Sequence, residues 1–232
     1  MTPDILDQPR LLYPPYQSTL RRAPARPRIR LPEGLASLAT PLFGELPIGE
    51  TDSDLTRQHP GEPLGERIIV SGRIVDEDGR PVPNTLVEIW QCNAAGRYVH
   101  AKDDHPAPLD PNFTGAGRFL TDNEGRYRFV TVKPGAYPWR NHPNAWRPAH
   151  IHFSIFGHGF AQRLITQMYF EGDPMIWKCP IVGTIPDRRA IEQLIAPLDW
   201  ANTIPMDARA YKFDIVLRGR RSTFFENRPE GN

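Results

Sequence analysis

From about residue 66 onward, apolar and polar residues alternate over short stretches, and clusters rich in Gly, Asp, Asn and Pro interrupt them. In such alternation successive side chains fall on opposite faces of an extended strand. Strands are predicted at 67–75, 85–90, 117–121, 126–132, 150–156, 164–170 and 211–217. Asp76-Glu77-Asp78-Gly79 and Pro134-Gly135-Ala136-Tyr137-Pro138 read as turns. Asp122-Asn123-Glu124-Gly125 closes a hairpin between the third and fourth strands. One stretch changes period: 187–196 places Ile191, Leu194 and Ile195 on one side of a short helix near the C-terminus. Many short strands and frequent turns predict an all-β protein, a sandwich or a barrel. No repeat of solenoid length is present.

Residues 1–62 lack this texture. Prolines are scattered through them, and the stretch 21–30 is basic. A short helix is expected near 33–40. Such a segment cannot bury a core of its own, yet Leu11, Leu12, Tyr13, Tyr16, Leu42 and Phe43 need cover. It is expected to be an arm wrapped on the following domain, 63–232, or on a partner chain.

Composition narrows the function. Lys and Arg total 28 against 27 Asp and Glu, so neither nucleic acid nor a membrane surface is an expected partner. No apolar run is long enough to span a bilayer, and the first twenty residues lack the apolar centre of a secretory signal. A cytoplasmic location is expected, with Cys92 and Cys179 as free buried thiols. The 26 prolines and 18 glycines suit a loop-rich β protein.

The candidate chemistry centres on Trp146-Arg147-Pro148-Ala149-His150-Ile151-His152. Two residues apart on a strand, His150 and His152 share a face and can reach one metal ion. No acidic residue follows closely, so a two-His-one-carboxylate set is not completed locally. Tyr98 and Tyr137, both in turn-rich contexts, are the best further donors. A free phenol, with a pKa near 10, does not ionise unaided at neutral pH. Ferric iron binds phenolate well. Two phenolates and a hydroxide would balance the charge of Fe(III), and an ortho-diphenol dianion could replace one phenolate and the hydroxide. The set therefore suits a catechol substrate. Pro148 biases Arg147 toward an extended conformation; this arginine is either a surface ion-pair partner or a fixed charge beside the substrate. By residue type alone, Gln167 reads as an outward-facing strand residue.

Gly96-Arg97-Tyr98, Leu109-Asp110-Pro111-Asn112-Phe113, Lys133-Pro134-Gly135-Ala136-Tyr137-Pro138-Trp139 and Trp146 through Phe153 together resemble the intradiol ring-cleaving dioxygenases. Within that family the likeness is to the iron-bearing β chains of its two-chain members, and covers about residues 60–226, including 218–220 and 225–227. The resemblance implies a β-sandwich of prealbumin/immunoglobulin-like type. It implies one Fe(III) per chain, ligated by Tyr98, Tyr137, His150 and His152, with Tyr137 the ligand that leaves when substrate chelates. It makes Arg147 and Gln167 active-site residues and puts Trp139, Ile181 and Tyr16 near the substrate. The implied reaction is cleavage of protocatechuate by O2 to 3-carboxy-cis,cis-muconate, a step of aromatic catabolism in the β-ketoadipate pathway. The implied partner is a homologous α chain, in a higher oligomer of αβ units.

Three other readings stay open on the sequence. The chemistry could act on another substituted catechol, such as 4-sulfocatechol. Residues 70–76 through 125–129 also resemble prealbumin-like sandwich modules that bind without catalysis. A zinc hydrolase could use His150 and His152, but would need a third His or an acid at suitable spacing.

Overall fold

The structure, a computed structural model, describes residues 9–27, 47–143, 145–156, 163–217 and 223. In chain order its strands are β1 (Arg67–Val75), β2 (Leu86–Trp90), β3 (Ala116–Leu120), β4 (Arg126–Val132), β5 (Tyr137–Trp139), β6 (Ala145–Arg147), β7 (His150–Phe156), β8 (Arg163–Phe170), β9 (Ile195–Ala196), β10 (Arg209–Lys212) and β11 (Ile215–Val216). Of two short α-helices, α1 (Thr19–Arg22) precedes β1 and α2 (Arg188–Glu192) lies between β8 and β9. The helix expected near 33–40 lies outside the described residues, as do Leu42, Phe43 and the motif residues 218–220 and 225–227.

Two sheets face each other. In one, β1 pairs antiparallel with β4 on one side and parallel with β10 and then β11 on the other. In the second, the order is β3-β2-β7-β8-β9. Ile68, Val70, Ile74, Tyr127 and Phe129 from the first meet Val87, Ile89, Phe119, Ile151, Phe153 and Ile155 from the second. Burying each of these large apolar side chains contributes about 1.5–3 kcal/mol. The expected all-β sandwich is the observed one.

Within the 1–62 stretch, residues 52–55 tie the two sheets together. Leu55 N donates to Val130 O and Val130 N to Ser53 O, both at 2.9 Å, while Arg118 N donates to Asp52 O at 3.0 Å. Leu55 itself is fully buried in the core. The Asp52 carboxylate accepts from Arg118 Nε at 2.9 Å.

The structure departs from the expected elements in three places. The last strand is broken into β10 and β11 at Phe213 and Asp214, where Arg73 N donates to the Asp214 side chain, at 2.9 Å, instead of to the strand's backbone. Phe213 O accepts from Tyr127 OH, and an added Cβ on Gly72 would stand 1.8 Å from that carbonyl, so only glycine fits there. The helix is shorter than expected: Asp187 caps it by accepting from Arg189 N, and the chain turns at Leu194 to enter β9 beside Tyr169. The stretch expected as a turn at 134–138 ends in strand β5, which forms a two-stranded ribbon with β6.

β7 is buried on both faces. Ile151, Phe153 and Ile155 point into the core. His150, His152 and Ser154 therefore lie on the opposite face of the sheet, under the loops that follow β2 and β4 and under the β5–β6 ribbon.

Candidate metal centre

Strand register assembles the centre. His152 pairs with Gln167 on one side and with Trp90 on the other, and His150 pairs with Tyr169. Cross-strand partners share a face, so Trp90, His152 and Gln167 form one row and His150 and Tyr169 the next. The Trp90 and His152 rings stack, with centroids 4.6 Å apart and planes 6° from parallel. The His150 and His152 rings meet edge to face at 4.9 Å.

The two tyrosines descend on this face from outside the sheet, Tyr98 from the loop after β2 and Tyr137 from the start of β5. Tyr98 OH lies 3.1 Å from His152 Nε2, and Tyr137 OH lies 3.3 Å from His150 Nε2. The tyrosine rings touch edge to face at 5.5 Å. Tyr98 N donates to Asp103 Oδ2 at 2.7 Å, which holds the loop that presents this ring. His150 Nδ1 lies 2.7 Å from Pro148 O. A carbonyl only accepts, so Nδ1 carries the proton and the Nε2 lone pair faces the tyrosines.

Burial and neighbouring charge act on His150 and Tyr98 in opposite directions. Burial pushes His150 well below its usual range, and the neighbouring Arg147 and His152 push it the same way. The ring is therefore neutral, the form in which imidazole binds a metal. Burial, then the neighbouring Tyr137, pushes the Tyr98 phenol well above its usual value of 10, while Arg147 opposes that rise. Tyr98 is half-buried as a residue, but its hydroxyl is the inner end, against His152. Cys92 behind the loop is pushed up to about 12 by burial and is an inert thiol.

Four donors in this arrangement fit one metal ion. Donors bound at about 2.0–2.1 Å and separated by right to tetrahedral angles lie roughly 2.9–3.4 Å apart, which matches the phenol–imidazole distances of 3.1 and 3.3 Å. Among the described residues no group of three or more His, Cys, Asp and Glu is placed to hold a metal. Among them the zinc hydrolase reading finds no third His or acid, and the phenols of Tyr98 and Tyr137 are the donors that stand beside the two imidazoles.

Arg147, at the end of β6, is 2% exposed. Its Nη2 donates to Gln167 Oε1 and to Tyr169 OH, the latter at 3.3 Å. Tyr169 OH donates to Gln167 Oε1 at 2.7 Å. Gln167 is 1% exposed, which corrects the outward-facing placement expected from its residue type. Trp139 lies under the Arg147 guanidinium at 5.8 Å. Tyr16 meets Trp139 edge to face at 4.6 Å and packs in one cluster with Ile181 and Tyr169. The N-terminal segment is held there by Gln17 N donating to Asn141 O at 3.0 Å and by Thr19 Oγ1 bonded to Tyr13 and Tyr16 carbonyls. Every candidate residue is thus in or beside one site. Sequence reasoning missed Trp90 and Tyr169. Their signal was available: Tyr169 lies two residues from Gln167, and Trp90 ends the strand that pairs with β7.

Residues 38–219 match the family described as Dioxygenase. The chain is 56% identical over 229 residues to the protocatechuate 3,4-dioxygenase beta chain of Burkholderia cepacia, covering 97% of each chain. It is 32% identical over 164 residues to the protocatechuate 3,4-dioxygenase alpha chain of Pseudomonas putida, covering 69% of this chain and 76% of that one. Among solved structures it resembles 3-chlorocatechol 1,2-dioxygenase from Rhodococcus opacus 1CP, with a TM-score of 0.54 and 28% identity over 79% of this chain and 72% of that one.

Proposed function

This chain belongs to the intradiol ring-cleavage dioxygenases, and we propose that it cleaves protocatechuate with O2 to 3-carboxy-cis,cis-muconate at one Fe(III) held by Tyr98, Tyr137, His150 and His152. The observation that supports the ligand set is the convergence of two phenol oxygens on two imidazole nitrogens on one sheet face. When bound, ferric iron supplies a Lewis acid that takes up the catecholate and makes its ring reactive toward O2.

The rest of the chemistry falls to the chain's own residues. Tyr137 Oη, one of the four groups that would hold the metal, would as phenolate accept one proton of the incoming diol. His150, locked by Pro148 O, keeps its lone pair aimed at the centre. Arg147 supplies a positive charge that cannot be lost by deprotonation and favours the anionic form of the bound ring. Gln167 and Tyr169 hold that guanidinium in place. Trp139, Ile181 and Tyr16 form the apolar wall against which the ring lies and from which water is excluded.

The chain works with a homologous α chain in a higher oligomer of αβ units; the likeness to alpha chains supports such pairing. Among the described residues no helix is long and apolar enough to cross a membrane. A cytoplasmic setting is part of the reading, and the free buried thiols of Cys92 and Cys179 suit a reducing compartment.

The test is to co-express the chain with an α chain, purify it, and record iron content, visible absorption and turnover of protocatechuate, other dihydroxybenzoates and 4-sulfocatechol. A red-brown protein with one iron per chain that turns over protocatechuate fastest is expected. A colourless protein would remove the iron assignment. A coloured one that prefers sulfocatechol would move the substrate.

A further inference from the structure

The two tyrosines come from different loops, yet one residue grips both. Asn93, three residues beyond β2, is 4% exposed. Its carbonyl oxygen accepts from Gly96 N and from Gly135 N, each at 3.0 Å. Gly96 stands two residues before Tyr98, and Gly135 two before Tyr137. Its side-chain Oδ1 accepts from Ala95 N at 3.0 Å and from Arg97 N at 2.9 Å, while Nδ2 donates to Pro108 O at 2.9 Å. The backbone N of Asn93 donates to Arg97 O at 2.9 Å. All of these bonds go to the loops that carry Tyr98 and Tyr137 or to the segment packed beside them.

The loops also press directly on each other. A methyl group on Gly96 would lie 2.5 Å from Ala136 O, and one on Gly135 would lie 2.4 Å from Ala94 O. Backbone meets backbone there with no room for a side chain. A tyrosine hydroxyl sits at the far end of a long side chain, so a small tilt of either loop is magnified at the oxygen.

Resting on the assignment of Tyr98 and Tyr137 as iron ligands, we propose that Asn93 is a positioning residue that sets the separation of the two tyrosyl oxygens. Its residue type suits the task. An asparagine offers an acceptor for two loop N–H groups and a donor for a carbonyl on the other side. Aspartate keeps the acceptors but turns a carboxylate toward Pro108 O. Alanine keeps neither, and retains only the main-chain carbonyl's bonds to Gly96 N and Gly135 N, so the Tyr98 loop loses its side-chain anchor to the residue that holds the Tyr137 segment.

The test uses the iron-loaded chain co-purified with its α chain. Iron loss to a strong chelator and the tyrosinate-to-iron absorption band are measured for wild type, Asn93→Ala, Asn93→Asp, Tyr137→Phe and the Asn93→Ala/Tyr137→Phe double variant. Asn93→Ala should release iron about tenfold faster or more and shift the band, and Asn93→Asp should recover most of both. In the Tyr137→Phe background the Asn93→Ala effect should shrink to about twofold, since one of the two oxygens is gone. Equal effects in the two backgrounds overturn the proposal, because a general loss of stability would act alike in both. Wild-type retention and colour in Asn93→Ala overturn it too. If Asn93→Ala loses cooperative unfolding, Asn93→Leu, which keeps the volume and removes the side-chain hydrogen bonds, carries the same test, and wild-type behaviour there overturns the proposal. A wild-type protein with no iron band would overturn the ligand assignment, and this proposal with it.

Discussion

Replacing Arg147 by serine removes a cation that is 2% exposed and bonded to Gln167 and Tyr169. Burial strips away most of the solvent and salt that would screen it. At an effective dielectric near 20, a unit charge about 5–6 Å from developing negative charge contributes about 3 kcal/mol, which is about a hundredfold in rate. Hydrogen bonds from a charged donor are worth about 1.5–3 kcal/mol, a fraction of the 5–15 kcal/mol that typically holds a domain together, so Arg147→Ser should still fold. Iron per chain and the single-turnover decay of the preformed substrate complex on mixing with O2 are measured in the same preparation. Full iron, full colour and about a hundredfold slower decay are expected. Arg147→Lys should fall between, because a point charge on a flexible stem holds a different position from the planar guanidinium. Full iron with wild-type decay would refute the electrostatic role. Loss of iron together with activity would show instead that Arg147 braces the turn whose Pro148 carbonyl orients His150.

The remaining expectations use simpler readouts. His150→Ala and His152→Ala should each lose iron and activity, while Tyr137→Phe should keep more metal but bind substrate more slowly; full iron and turnover in either alanine variant would sink the ligand set. Gly72→Ala drives a methyl into Phe213 O and should cost about 3 kcal/mol, seen as a Tm lower by about 6–12 °C; an unchanged Tm would refute the close approach. The Asp52 carboxyl is held below its ordinary value of 3.8, first by the hydrogen bond from Arg118 and then by Gly49 N. Its folded-state pKa is depressed, so its stabilisation is present above that ordinary value and is lost as pH falls below it. Asp52→Asn should therefore cost about 0.2–1 kcal/mol at pH 7, with the gap from wild type closing below about pH 4. A gap that widens in acid, followed by denaturant unfolding, would contradict this.

The strands buried in the sandwich were the most legible. β1, β4 and β7 begin and end where alternation and turn residues placed them, because β1 and β7 are paired on both sides and β4 is paired with β1 along its whole length. The β5–β6 ribbon was missed. Its sequence carries Pro138 and too few residues for alternation, and only pairing with β6 makes Tyr137–Trp139 extended. The break between β10 and β11 was hidden as well, since the Tyr127 hydroxyl that captures Phe213 O comes from 86 residues away. At the site, the four donors followed from spacing and chemistry together with a family likeness. Trp90 and Tyr169 did not, because an aromatic on a strand reads as core until register shows which face it occupies. Asn93 carried only the local signal of a turn through Ala95 and Arg97; its bonds to Pro108 and Gly135 join segments that meet only in space.

The division of β7 by parity has a consequence for descent. Its odd-numbered side chains hold the sandwich together, and its histidines stand on the other face, where they contribute nothing to packing between the sheets. The tyrosines arrive from outside the sandwich, one on a loop and one on the β5–β6 ribbon. A duplicated gene could therefore drift at all four donor positions while its product went on folding, and the spare copy would inherit every surface that fits the original. Such a copy is ready-made as a companion subunit, free to reshape the mouth of a pocket whose chemistry it no longer performs.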